Sequence, residues 1–275
     1  MRKWWLAALV FGGLGVAGVL FLNAPGPAFE ARALAMNARP LTEAEELTQR
    51  PLSVPRKLRC RRAPCSTFYL QYEVLVDVTG RPVTAVFRDP VGEANADLQA
   101  RGNAYVRSLR YPPLAQPVRI WESVEVYPPV RIPARSAPLP AYDASSVRIT
   151  LERTGCFGSC PAYTVSIKGD GSVLFDGRSY VAETGRRRGT VDPAAVRALY
   201  DQFRTANFMS LDDRYVTDIT DNPTYTLTLE VAGTQKTVVD YVGARAGMPD
   251  TVTALEDAVD RVAGTDQWIG PPQPW

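Results

Sequence analysis

The sequence predicts an α+β protein of two small domains, each an antiparallel sheet with packed helices, behind an N-terminal membrane segment and a Pro-rich tether. Three observations predict this. Residues 4–22 contain no charged residue. Two later regions, 67–134 and 147–269, each combine strand-like alternation with helical periods. Proline-containing stretches at 23–66 and 135–146 precede these regions, and such stretches are typical of connections between domains.

The first predicted element is a membrane-spanning segment. Two basic residues precede the nineteen uncharged residues 4–22, a run that is long for the apolar part of a cleavable signal. The next basic residue is Arg32, so the positive-inside rule predicts that the rest of the chain lies outside the cytoplasm. Cleavage sites at Ala28 or after Ala33 keep a removed signal peptide as the alternative. In either case the chain works in an exported compartment, where cysteine pairs form disulfides.

Composition excludes several functions. The 31 basic and 29 acidic residues nearly balance, so we expect no nucleic-acid partner. The chain contains no histidine, which excludes Ser-His-Asp and Cys-His catalytic sites and every His-based metal site. We therefore expect a protein that is not an enzyme, with no catalytic residues, no cofactor and no bound metal ion. The sequence identifies no small-molecule ligand.

Residues 23–66 are predicted to be a tether, because prolines interrupt them and no long apolar period survives. One short helix is predicted at 41–49, where Thr42 and Glu45 have capping-box spacing. Five basic residues then surround Cys60. This cluster is predicted to be a solvated linker face, with anionic lipid head groups or an acidic partner as the alternative contact.

Residues 67–134 are predicted to form the first domain, from two strands, a helix and a third strand in that order. The helical period lies in residues 93–111 and is weakened by Gly102. Alternating apolar side chains mark one face of the first strand. These residues are Tyr72, Val74 and Val76.

Residues 68–133 resemble the carboxyl-terminal domain of TonB-type energy transducers in the stretches YEVLVDVTGRPVTAVF, AYVRSLRYPP and PVRIWESVEVYPPVRI. In that family a strand pair with a Gly-containing turn precedes a helix that ends in an Arg-aromatic-x-Pro step. The membrane segment here lacks the family's histidine, and the tether lacks a long Pro-Lys or Pro-Glu spacer. The resemblance therefore implies a shared fold more than shared energy coupling.

Residues 147–269 are predicted to form the second domain, followed by a Pro-rich tail at 270–275. About five strands are expected, with hairpins around Gly169–Gly171 and Gly233–Thr234. Asp192–Pro193 opens one helix, and a second follows Pro249. Both helices have an apolar face at helical spacing. These faces are Val196, Leu199, Tyr200 and Phe203 in the first, and Val252, Leu255, Val259 and Val262 in the second.

This second region resembles a bacterial family known only as a domain of unknown function (domain of unknown function 6438). The family signature is Cys-Phe-Gly-x-Cys-Pro-x-Tyr, followed by a strand, a Gly-containing hairpin and a later Thr-Asp-x-Pro-Thr step. The matching residues are Cys156, Phe157, Gly158, Cys160, Pro161, Tyr163, Thr220, Asp221, Pro223 and Thr224. The resemblance implies a fold and no activity, so the role of these positions stays open.

Cys156 and Cys160 are predicted to form a structural disulfide. Gly158 between them permits the positive φ that a tight loop requires, and Pro161 directs Cys160 toward extended backbone. A redox-active pair is the first alternative, and it needs a helix N-terminus or cationic groups to lower the thiol pKa. A metal site is the second alternative.

Cys60 and Cys65 are predicted to form the other disulfide, since they flank a turn former, Pro64. Four cysteines allow three connectivities. The two local pairings need no contact between the flexible tether and the second domain, whereas crossed pairings require the tether to dock on the second domain.

Two polar clusters complete the candidate sites. The first has four aspartates, but their spacing does not follow a calcium-binding loop. They are Asp212, Asp213, Asp218 and Asp221. The second is the arginine run 186–188, which lies between two glycines and is predicted to be a solvated hairpin tip. A grip on a phosphate or carboxylate is its alternative.

The sequence favours a non-catalytic, membrane-anchored binding or scaffold protein of the bacterial envelope. We expect it in the inner membrane as a single-pass protein with its C-terminal part in the periplasm, or as a secreted or periplasmic protein if a signal is removed. Its expected partners are other envelope proteins, and the membrane through residues 4–22. The alternatives are an envelope thiol-disulfide protein that uses Cys156 and Cys160, and a TonB-like energy transducer.

Overall fold

The structure is a computed structural model that describes residues 27–42, 45, 50–53, 55–89, 95–134 and 136–271. It shows a mixed α+β chain with two sheets and a few helices, as the sequence predicts. The chain divides into two compact units, the first ending at Tyr127 and the second beginning at Pro128. The predicted membrane segment lies outside the described residues. Within the described ranges, no helix has the length and apolar character needed to cross a bilayer.

The first unit is a five-stranded sheet with two helices. The helices are α1 (Pro27–Ala35) and α2 (Ala96–Ser108), and the strands are β1 (Arg39–Pro40), β2 (Leu58–Arg59), β3 (Phe68–Val76), β4 (Pro82–Asp89) and β5 (Val118–Tyr127). The strand order is β1-β5-β3-β4, and β2 also pairs with β5. The three long strands are antiparallel, as predicted, and the two short strands pair with β5 in parallel.

Helix α2 covers one face of this sheet. The predicted alternation is confirmed, because Tyr72, Val74 and Val76 are all fully buried and share one core with residues of α2. Gly102 lies where the helix packs against side chains of β3. A Cβ atom at this position would lie 2.1 Å from the Tyr72 hydroxyl oxygen. The glycine that weakens the helical pattern is therefore required by the packing of helix on sheet.

Part of the region predicted to be a tether is folded onto the first unit. Helix α1 packs on the sheet face opposite α2, where Phe29 and Ala33 contact Leu75. The Glu30 carboxylate accepts two hydrogen bonds from Arg119 of β5, at 2.9 and 3.1 Å. Strands β1 and β2 come from the same region. The sequence does not indicate β1 and β2, because a strand of two residues has no period. The frequent prolines of this region also favour a prediction of irregular structure.

The second unit is a seven-stranded sheet covered by helices. Its strands are β6 (Arg148–Arg153), β7 (Ala162–Lys168), β8 (Ser172–Ser179), β9 (Gly185–Thr190), β10 (Arg214–Val216), β11 (Tyr225–Val231) and β12 (Thr234–Tyr241), and its helices are α3 (Pro193–Thr205), α4 (Asp250–Ala263) and α5 (Asp266–Ile269). Short 3₁₀ turns occur at Phe208–Ser210 and Gly243–Ala246. The strand order is β10-β12-β11-β6-β7-β8-β9, antiparallel except for the β10–β12 pair.

The two long helices of the second unit agree closely with the predictions from the sequence. The four apolar residues predicted for α3 are fully buried, and Asp192 caps its first turn by accepting a hydrogen bond from Ala194 N at 2.8 Å. In α4, Val252, Leu255 and Val259 are buried as predicted, while Val262 is partly buried. Gly264 ends the helix at φ 65°.

Two segments differ from their predicted roles. The arginine run 186–188 is expected at a hairpin tip but lies in β9, at an edge of the sheet, where charged side chains oppose pairing with another chain. The stretch predicted to be a linker, 135–146, makes specific contacts within the second unit. Ala137 N donates to Ser210 Oγ at 2.8 Å, and the Tyr200 hydroxyl donates to the Pro140 carbonyl at 2.9 Å.

Candidate functional site

The candidate functional site is the disulfide loop that joins β6 to β7. The Cys156 and Cys160 sulfur atoms are bonded, and their Cα atoms lie 5.5 Å apart. Gly158 has φ 146°, a backbone conformation that side chains oppose, so the predicted need for glycine in this loop is met. The disulfide thus closes a short ring that encloses three residues, 157–159.

The Thr-Asp-x-Pro-Thr segment, residues 220–224, lies directly beside this loop. The Phe157 backbone N–H donates to the Asp221 carbonyl at 3.2 Å. Thr154 and Thr224 exchange two hydrogen bonds, from Thr224 N to Thr154 Oγ1 at 2.8 Å and from Thr154 N to the Thr224 carbonyl at 3.0 Å. The two motifs are far apart in sequence, and the structure brings them together at one end of the sheet.

Residues 219–222 hold their own loop in place by local hydrogen bonds. Thr220 Oγ1 donates to the Asp221 carboxylate at 2.8 Å, and the Asn222 side-chain amide donates to the Thr220 carbonyl at 2.7 Å. The Tyr241 hydroxyl donates to the Ile219 carbonyl at 2.7 Å. Asp221 has φ 70°, a left-handed conformation that aspartate tolerates better than most residues. These bonds connect the loop internally and to β12.

Phe157 is the most exposed element of this site. Its side chain is 84% exposed, although burying a phenylalanine side chain is ordinarily favourable by about 1.5–3 kcal/mol. Pro161 and Pro223 are half-buried. The site therefore presents one aromatic ring to solvent from a backbone that the disulfide closes and a hydrogen bond connects to the neighbouring loop.

Tyr163 lies beneath the loop and joins β7 to α4. It is buried, and its hydroxyl donates to Asp260 Oδ1 at 2.7 Å. Arg153 donates to Asp260 Oδ2 at 2.6 and 2.9 Å, and its guanidinium lies 4.1 Å from the Tyr225 ring centre. Burial, and then the Asp260 charge, raise the pKa of Tyr163 well above its usual range, so the hydroxyl stays protonated.

Glu256 is a buried acid on the same helix. It is 1% exposed, and neither carboxylate oxygen has a hydrogen-bond partner among the described residues. Burial raises the pKa of Glu256 to about 8, and the negative charge of Asp240 acts in the same direction. The carboxyl group is therefore largely protonated at neutral pH.

Three charged residues near the disulfide loop and helix α4 are not identified from the sequence, namely Arg153, Glu256 and Asp260. A signal for Glu256 exists, because it follows the buried Val252 by four positions and so falls on the apolar face of α4. Asp260 lies four positions further along the same face. Nothing in the local pattern of β6 indicates that Arg153 pairs with it.

The second cysteine pair closes within the first unit. The Cys60 and Cys65 sulfur atoms are bonded, with Cα atoms 6.5 Å apart. Both predicted local pairings are thus present, and neither is a crossed connection.

Two of the four aspartates form ion pairs. Asp213 pairs with Lys236, and Asp212 lies 3.6 Å from Arg131. In the part of the chain that the structure describes, no group of three metal-ligating side chains converges.

The second unit is an α+β domain that carries a disulfide-closed loop at one end of its sheet. Residues 147–263 match the family model of a domain of unknown function (DUF6438). The match covers less than half of the chain and corresponds to the second unit, from β6 to the end of α4. A comparison with curated proteins finds no match.

Proposed function

We propose that this protein is a non-catalytic, membrane-anchored envelope protein that binds another protein through Phe157. The exposed ring of Phe157 carries the proposal. Interface hot spots are large side chains that enter a pocket of the partner, and a ring that is already held in position loses little freedom on binding. The disulfide and the bond from Phe157 N to the Asp221 carbonyl supply that preorganisation.

Charge favours a protein partner over a lipid surface at this site. The segment 154–163 contains no basic residue, and the acidic Asp221 lies beside Phe157. Insertion into an anionic bilayer is ordinarily supported by nearby lysine or arginine. The nearest such residue in sequence, Arg153, is already bonded to Asp260. Arg178 donates to the Tyr163 carbonyl at 3.2 Å and is paired with Glu152.

The anchor would hold the first unit close to the membrane. Residues 23–26 separate the apolar segment from Pro27, where α1 begins. Four extended residues span at most about 14 Å. Because α1 packs on the first sheet through Phe29 and Ala33, the connection is much shorter than residues 23–66 would allow. This short reach favours a binding or scaffold role over a TonB-like energy transducer that must contact an outer-membrane receptor.

A photo-crosslinking amino acid at position 157 of the full-length chain tests the proposal in intact cells. We expect one discrete protein adduct, and none when the same amino acid replaces Tyr180, which is half-exposed in the same unit. Introducing the crosslinker at Asn222, in the neighbouring loop, is expected to give the same adduct. Equal labelling at positions 157 and 180, or no adduct at either, would contradict a specific contact.

A different variant distinguishes the proposed binding role from the thiol-disulfide alternative. Replacing Cys156 and Cys160 by serine abolishes a redox activity completely, whereas it leaves the Phe157 side chain in the protein. Under our proposal, crosslinking at position 157 persists in this variant at reduced yield. Loss of the adduct, together with trapping of a mixed disulfide by the single Cys160→Ser variant, would support the redox protein instead.

A further inference from the structure

The first unit contains a basic pocket beside the Cys60–Cys65 disulfide. Its volume is about 470 Å³. Charged residues at its rim are Arg61, Arg62, Asp97 and Arg101, and apolar contacts come from Phe68 and Leu98. The pocket lies where β2 leads into the disulfide ring and where α2 begins, so both sides of it are anchored in the fold.

The arginines of this pocket are arranged by specific contacts. Arg101 donates to the Arg59 carbonyl at 2.5 Å and lies 3.4 Å from the Asp97 carboxylate. Arg61 lies 3.0 Å from the other oxygen of Asp97. Arg62 is exposed in the same ring. Two guanidinium groups therefore contact one carboxylate, and together with Arg62 they give the pocket lining two excess positive charges.

We propose that this pocket binds a phosphate-bearing ligand. Guanidinium groups match phosphate oxygens with two parallel hydrogen bonds each, and several of them around one concave site are typical of phosphate recognition. The Asp97 carboxylate already bridges Arg61 and Arg101 across the position that such a group would take. Asp97 therefore competes with the ligand and limits its affinity. The apolar side chains Phe68 and Leu98 offer a surface for the part of the ligand that carries the phosphate.

Two kinds of ligand could provide the phosphate group, namely a phospholipid head group and a soluble phosphate compound. Calorimetric titration of the full-length chain in non-ionic detergent tests both, with pyrophosphate and with a short-chain, water-soluble phosphatidylglycerol as separate probes. We expect saturable binding of at least one probe that weakens with added salt. Binding of pyrophosphate alone identifies a soluble ligand, and tighter binding of the lipid identifies a head group.

Three variants decide whether the pocket is responsible. Replacing both Arg61 and Arg62 by alanine should weaken binding by at least about tenfold. Arg107→Ala is the matched control, because Arg107 is exposed at the other end of α2, and it should change nothing. Asp97→Asn should tighten binding several-fold, since it frees two arginines. Absence of binding by both probes, equal losses in the pocket and control variants, or an Asp97→Asn variant that binds no more tightly overturns the proposal.

Discussion

The Tyr163 hydroxyl donates a hydrogen bond to the Asp260 carboxylate at 2.7 Å, across 97 positions of the sequence. The bond joins the strand that follows the disulfide loop to the long helix α4. The Thr265 hydroxyl donates to the same carboxylate oxygen at 3.0 Å, and Arg153 donates to the other oxygen. One aspartate thus connects both strands that flank the disulfide loop to the helical layer.

Tyr163→Phe removes one donor from this arrangement. We expect the free energy of unfolding of the full chain to fall by about 1 kcal/mol, because the partly buried Asp260 loses one of its hydrogen bonds while the ring remains packed. Tyr180→Phe, at an exposed tyrosine, is the control and should have no effect. Urea unfolding followed by circular dichroism measures both. Equal stability of the two variants would show that the bond contributes nothing net.

Glu256 should make the stability of the second unit depend on pH. Its pKa in the folded protein, about 8, lies above the ordinary value of 4.5, so the folded state binds the proton more tightly than the unfolded state. The resulting stabilisation is fully present below about pH 4.5 and is lost as the pH rises through about 8. In this window stability should fall by up to about 1.4 kcal/mol per pH unit.

Glu256→Gln removes this pH dependence, because the amide does not titrate. The charged groups that act on Glu256 are Asp240, Arg153, Asp257 and Asp260, and they remain in the variant. Asp201→Asn is the control, since Asp201 is exposed on α3 of the same unit and is not one of these groups. Thermal unfolding at a series of pH values should give a flatter profile for Glu256→Gln than for the wild type. Parallel profiles would contradict a buried, neutral Glu256.

Gly102→Ala should destabilise the first unit, although alanine is normally the better helix former by about 1 kcal/mol. The added methyl group would lie 2.1 Å from the Tyr72 hydroxyl oxygen, and Tyr72 is fully buried and bonded to the Gln99 carbonyl at 3.1 Å. We expect a loss of about 1–3 kcal/mol. Asn103→Ala, one position further along α2, should be neutral or slightly stabilising. A stabilised Gly102→Ala variant would show that the helix can move away from β3.

Replacing Cys156 and Cys160 by serine should lower the stability of the second unit by about 2 kcal/mol, since the unfolded chain gains freedom. The Cys60→Ser, Cys65→Ser pair is the comparison, because that ring belongs to the first unit. Limited proteolysis followed by mass spectrometry identifies which unit becomes sensitive in each variant. Peptide maps of the unreduced wild type that contain free thiols at these positions would count against both structural disulfides.

The predicted membrane segment is tested on the full-length protein. We expect the product to remain in the membrane after carbonate extraction and to retain residues 4–22. A mature N-terminus near Phe29 or Leu34 would instead identify a cleaved signal and a protein without an anchor. Phe29 is buried against the first sheet, so cleavage after Ala33 would also remove part of this contact.

Elements that depend on neighbouring residues could be predicted from the sequence. Strand alternation at Tyr72, Val74 and Val76, and the helix opened by Asp192–Pro193, follow from residue spacing and capping, which act within a few positions. The capping-box spacing of Thr42 and Glu45 is likewise realised, because Thr42 N donates to the Glu45 carboxylate at 2.9 Å. The two local disulfides belong to the same class, since each closes a ring of a few residues.

Contacts between distant residues, in contrast, follow from the tertiary structure. Phe157 lies beside Asp221, and Arg153 beside Asp260, because the register of the strands and the docking of α4 bring separate segments to one end of the sheet. The packing of α1, β1 and β2 in the first unit has the same origin: Phe29 and the two short strands gain stability only from a sheet that is already formed. Their own sequence has too few residues for a period, so burial against a distant partner, not local spacing, sets their structure.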